Sequence, residues 1–140
     1  LYEDLTMTLL ELLYNKPDKI LLDATNSLVR AHLPHYEKFK ESDINERFKK
    51  LLLSITKCVE KNSCDELNSY MDKLSDERFS MGFEPTEVQV AINIFEEALW
   101  KNIGDLVDED KQIAAMKLIT GVISKAKQEM LGEYAILEKS

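Results

Sequence analysis

The chain has 140 residues, 44% hydrophobic and 31% charged, with four glycines and three prolines. That is enough for one hydrophobic core but short for two, and it is too poor in turn formers for a strand-rich fold. Eighteen basic against twenty-six acidic residues leave a net charge of −8, which makes the chain a poor candidate for nonspecific nucleic-acid or anionic-membrane binding, since both require a basic surface.

Residues 3–14 read as a first helix, with Leu5, Leu9, Leu12 and Leu13 on one side. Asn15 is placed to cap a second, where Pro17 stands so early that its missing N–H is harmless. Ile20, Leu21, Ala24, Leu28 and Ala31 give that helix its apolar side, and Pro34 breaks it near residues 32–33. Asp43-Ile44-Asn45-Glu46 resembles a capping box and opens a third helix to about residue 61; Ser63-Cys64-Asp65-Glu66 opens a fourth, ending near Gly82. Glu84-Pro85-Thr86-Glu87 launches a fifth to about Ile103, with Gly104 as its stop. Asp108-Glu109-Asp110 begins a sixth, three carboxylates complementing the helix dipole. The expected fold is all-α, one domain over residues 1–140 with about six helices and a long last one.

Helical periodicity gives these helices faces. In the third, Ile44, Phe48, Leu51, Leu52, Ile55 and Val59 share one arc and Arg47, Lys50, Lys57 and Lys61 another. The basic arc reads as a solvated face, with docking of an acidic partner as the sharper alternative. The fifth is apolar over more than half its circumference. Val88, Ala91, Ile92, Phe95, Leu99 and Ile103 form one stripe, and Val90, Ile94 and Ala98 a second. It is expected to be central, with Trp100 on its polar arc as a candidate partner contact. In the sixth, Met116, Ile119, Ile123, Ala126, Met130 and Leu137 follow 3-4 spacing beside Tyr134. That stripe can pack on its own domain, on a second copy, or both; it is the candidate dimer and signal face.

Chemistry-bearing patterns are sparse. His32 and His35 are the only histidines; Pro34 between them breaks the helix that would align them for a metal, so none is expected. No H-E-x-x-H, G-x-S-x-G or Gly-rich phosphate loop occurs. Glu96-Glu97 and similar carboxylates fall on faces read as solvated, which leaves a general acid unsupported. Cys58 and Cys64 are not spaced as C-x-x-C and read as two unrelated thiols, a redox pair being the alternative. No catalytic site and no cofactor is expected. No secretory signal stands at the start and no apolar run is long enough to span a bilayer, so the expected compartment is the cytoplasm. The last helix meets no Gly, Pro or Asn stop, which suggests that the native chain continues into another domain.

Six helices with a central one and a long last one resemble globins. A haem globin needs its proximal histidine on a late helix, and here both histidines stand in the first quarter. A closer resemblance rests on Arg78-Phe79-Ser80-Met81-Gly82-Phe83-Glu84-Pro85-Thr86-Glu87-Val88. This segment is similar to the R-x-x-x-G-φ-x-x-x-E-φ pattern of the RsbRD-type N-terminal domain, found in RsbR-like stressosome proteins and some bacterial sensor kinases. The helix to Trp100, the final helix through Glu133-Tyr134, and Leu28-Val29-Arg30-Ala31-His32-Leu33-Pro34-His35-Tyr36 fit the same pattern over roughly residues 15–137. The resemblance implies a non-haem, globin-like sensory domain. It would form a homodimer through its terminal helices, answer an unknown signal such as a small molecule, and precede a STAS or histidine-kinase output domain. It brings no catalytic residues. The alternatives are a static helical adaptor that binds a protein through Trp100 or the basic arc, and a haem-binding globin sensor.

Overall fold

A computed structural model describes residues 7–140. Six α-helices follow one another: α1 (Leu9–Asn15), α2 (Pro17–Ala31), α3 (Glu41–Lys61), α4 (Asp65–Ser80), α5 (Pro85–Leu106) and α6 (Gln112–Lys139). Short 3-10 turns, Tyr36–Lys38 and Glu109–Lys111, precede α3 and α6. The fold is all-α with a long C-terminal helix; among the described residues the only β feature is a bridge between Met7 and Val107. No helix of these residues is long and apolar enough to cross a membrane.

The helix boundaries have local causes. Thr8 opens α1 with a reciprocal box: its Oγ1 accepts from the Glu11 N–H at 3.2 Å, and the Glu11 carboxylate accepts from the Thr8 N–H at 3.1 Å. The helix therefore starts at Leu9, later than expected; residues 3–6, Leu5 included, lie outside the described residues. Lys16, not Asn15, occupies the cap of α2, with Pro17 first in the helix. Helix α3 starts at Glu41 instead of Asp43, because the Asp43 carboxylate reaches back to the Lys40 N–H at 3.3 Å and so acts three residues inside the helix. At the end of α4 the Phe83 N–H bonds the Arg78 carbonyl and the Gly82 N–H bonds that of Phe79, with Gly82 at φ 85°. This is a Schellman ending whose left-handed residue favours glycine.

Gly104 does not stop α5, which runs on to Leu106. The end is set by tertiary pairing: the Met7 N–H bonds the Leu106 carbonyl and the Asp108 N–H bonds the Met7 carbonyl, both at 2.9 Å. The Gln112 side chain then donates to the Gly104 and Val107 carbonyls, groups that a helix end leaves without partners.

Helix α5 is the central element, packed against α2 on one side and α6 on the other, while α4 lies along α6 and α3 spans α2 and α4. Phe95, Leu99 and Ile103 of α5 are fully buried with Ile119, Ile123 and Met130 of α6. Glu96, expected on a solvated face, is buried and lies 3.6 Å from the Lys127 ammonium of α6. An ion pair replaces water there, as a buried carboxylate requires.

Candidate functional site

Arg78 organises the most unusual cluster in the fold. Its side chain is 3% exposed, and a buried guanidinium needs partners for its charge and its donors. Nε donates to the Tyr36 hydroxyl at 3.3 Å, and Nη1 pairs with the Glu77 carboxylate. The guanidinium carbon lies 5.5, 5.2 and 5.4 Å from the ring centres of Tyr36, Phe39 and Phe83, so its remaining surface faces aromatic rings. Arg47 of α3 stacks 4.2 Å over Phe39 from the outer side and donates to the same Glu77 at 3.2 Å. Burial pushes the phenols of Tyr36 and Tyr70 up, that of Tyr70 to about 12, so both remain protonated donors at neutral pH; Tyr70 donates to the Arg47 carbonyl.

The loop between α2 and α3 supplies Tyr36 and Phe39 and is fastened to α5 through His35. The Glu87 carboxylate of α5 accepts from the His35 N–H at 3.3 Å and lies 2.6 Å from the His35 ring nitrogen. The His35 ring packs on Phe83 with centres 5.0 Å apart. His32 pairs with Glu37 at the surface. The two histidines are thus engaged by different carboxylates, and neither lines the interior cavity described next.

Arg47, Leu74 and Arg78 form the partition between two spaces. Inward lies a cavity of about 20 Å3, lined by apolar side chains such as Leu28, Phe48, Leu51, Val88 and Ile92; it is large enough for a single water-sized molecule. Outward lies a cleft of about 370 Å3 between α3 and α4, walled by Glu46, Arg47, Lys50, Tyr70, Lys73, Leu74, Glu77 and Arg78. Four cations face two carboxylates there, an excess of two positive charges in a chain of net −8.

The cage is tied to α6. The Tyr134 hydroxyl donates to the Phe83 carbonyl at 3.1 Å, and its ring meets Phe79 edge to face. Burial pushes this phenol up to about 12, so the donor is permanent. Carboxyl pairs also cross the seam between α4 and α6. A hydrogen bond with Asp76, followed by desolvation and repulsion, holds the Glu133 carboxyl up at about 7, and Asp72 raises Glu129 in the same way.

The residues singled out from sequence are placed as follows. Of the α6 stripe, Ile119, Ile123, Ala126, Met130 and Tyr134 are buried in the chain's own core, Met116 packs against it and Leu137 is half-buried. The face that α6 turns outward carries Ile113, Leu118, Leu131 and Ile136 instead. Trp100 stands at the surface of α5, 37% exposed. Lys57 and Lys61 of the basic arc pair with Glu66, and Arg47 belongs to the cage. Cys58 and Cys64 are not unrelated thiols: a disulfide joins them, because the short turn after α3 brings their Cα atoms to 4.6 Å. The cage was present in the sequence as Arg78, Gly82, Phe83 and Glu87 of the quoted pattern. Tyr36, Phe39 and Arg47 carry no common spacing signal, since the α2–α3 loop brings the first two and α3 the third. No family model, curated protein or solved structure matches the chain.

Proposed function

We propose that the chain is a non-catalytic sensory input domain of a bacterial signalling protein, of the RsbR-like stressosome or sensor-kinase kind. It would act in the cytoplasm and bind a small organic anion in the cleft at Arg47 and Arg78. The observation that carries this reading is the buried Arg78. It lines a positively charged cleft on one side and an apolar cavity on the other, and the Tyr134 hydroxyl of α6 bonds the Phe83 carbonyl of its cage. A cleft of a few hundred Å3 with a few convergent polar groups is the usual shape of a small-molecule site, and guanidinium groups match carboxylates well. Occupation would draw Arg78 away from Glu77 or the rings, shift Phe83, and reach α6 through Tyr134. In this reading α6 passes the shift to a homodimer partner through its outward face, and to a STAS or kinase output domain.

Calorimetric titration with benzoate, and with the neutral benzamide as control, tests the site. Benzoate should bind, benzamide should not, and Arg78→Met should weaken benzoate roughly tenfold or more, the loss of a charge-assisted hydrogen bond. Equal affinity of the two compounds, or an unchanged affinity in the variant, would overturn the reading.

A further inference from the structure

The disulfide lies away from the cage, at the tip where α3 turns into α4. It links the last turn of α3 to the N-cap of α4 and closes a loop of sequence separation 6. A loop so short restricts the unfolded chain less than a long one does, so the bond is a weaker staple than one closing a longer loop. The turn also has other fastenings. Asn62 takes the left-handed conformation at φ 52°, the Asn68 N–H bonds the Cys64 carbonyl, and Lys57 and Lys61 both reach Glu66.

The two sulfurs differ in setting. Cys58 is buried at 5% exposure, whereas Cys64 is partly exposed at the N-terminus of a 16-residue helix. A thiolate is favoured at a helix N-terminus, and the charges around this one are balanced: Lys57 and Lys61 are paired with Glu66. A partly exposed sulfur at a helix N-terminus, bonded to a buried second sulfur, is the arrangement of a reacting and a resolving cysteine.

We infer that Cys58 and Cys64 form a reversible redox pair that reacts with hydroperoxides, Cys64 attacking and Cys58 resolving. The Cys64 thiolate attacks the terminal peroxide oxygen and the O–O bond breaks. The leaving alkoxide takes a proton to become an alcohol (water, for hydrogen peroxide), and Cys64 is oxidised to the sulfenic acid. The Cys58 sulfur then attacks the Cys64 sulfur; the S–O bond breaks, and the hydroxide leaves with the Cys58 proton as water. Two thiols and one hydroperoxide yield one disulfide, one alcohol and one water. A dithiol returns the pair to thiols: one of its thiolates attacks the exposed Cys64 sulfur and releases the Cys58 thiolate, and its second thiol then attacks the first, forming its own disulfide and releasing the Cys64 thiolate. Oxidation thereby fastens the first turn of α4 to the last turn of α3.

Stopped-flow oxidation and mass spectrometry of the 140-residue chain test this. The dithiol-reduced chain should react with hydrogen peroxide roughly tenfold or more faster than free cysteine and become about 2 Da lighter. Cys58→Ser should stop at a sulfenic acid on Cys64 that dimedone traps, while Cys64→Ser should leave Cys58 unlabelled. Circular dichroism checks that both variants fold. If either does not, brief alkylation of the reduced wild-type chain serves instead, with Cys64 modified before Cys58. A rate no faster than free cysteine, labelling of Cys58 as readily as Cys64, or a bond that millimolar dithiol fails to reduce in the folded chain would each overturn the proposal.

Discussion

The direction in which α6 faces can be measured with two neighbouring residues. Met130 is fully buried between α6 and the core, whereas Leu131, about 100° further round the helix, is 42% exposed. Met130→Ala removes the thioether end of a close-packed side chain and leaves a cavity, a change that costs about 3 kcal/mol. For a chain of 140 residues the unfolding entropy at the midpoint is about 0.3 kcal/mol per degree, so Tm should fall by about 10 °C. Leu131→Ala exchanges one good helix former for another on a wet face and should move Tm by less than about 2 °C. Thermal melts followed by far-UV circular dichroism at low micromolar concentration read both. A Met130→Ala melt within about 2 °C of wild type, or a Leu131→Ala loss of equal size, would refute the assignment of faces. For the same reason a charge at Met130 does not probe dimerisation, because it unfolds the chain first; Leu118 and Leu131 are the positions to charge in that experiment.

Two further outcomes follow from the seam and the cage. Glu133 titrates at about 7 in the folded chain against 4.5 ordinarily. Between those values the folded chain holds a proton that the unfolded chain has lost, so this group contributes a stability loss as pH rises through that window. Glu133→Gln removes the titration, and the drop in Tm from about pH 5 to about pH 8 should be smaller in the variant than in wild type; an equal drop would deny the Asp76–Glu133 pairing. At Gly82, φ 85° is strained for any side chain, while an added Cβ meets nothing closer than the His35 ring at 3.9 Å. Gly82→Ala should therefore cost only the backbone term, about 1–2 kcal/mol, or about 3–7 °C in Tm, and a melt unchanged within a degree would contradict that conformation.

The helices were readable from sequence because their signals are local. The periodic Leu, Ile and Val positions and the cap residues near Pro17, Gly82 and Pro85 act within one or two turns. Where tertiary pairing competes, sequence alone misplaces the boundary: Gly104 carries a stop signal that the Met7–Val107 bridge overrides. The Thr8–Glu11 box is present in the sequence, but it competes with an apolar pattern that starts earlier. The α6 stripe shows the limit of periodicity. Its spacing identifies an apolar face, but spacing is the same for a face turned to the core and for one turned to a second copy. The cage was half readable, since Arg78, Gly82, Phe83 and Glu87 lie in one segment around a helix ending, whereas Tyr36 and Phe39 arrive from a loop some forty residues earlier. The disulfide was missed because a spacing of six across a helix break has no motif; it depends on the left-handed Asn62 that turns the chain.

The central claim is that occupation of the Arg47–Arg78 cleft is felt by α6 through Tyr134. Amide hydrogen exchange of the chain with and without saturating benzoate, in wild type and in Tyr134→Phe, tests it most directly. The account predicts that benzoate changes exchange in α6 around residues 130–137 as well as around the cage, and that Tyr134→Phe abolishes the α6 change while benzoate still binds. An exchange change confined to the cage residues, or an α6 change that persists without the Tyr134 hydroxyl, would contradict it.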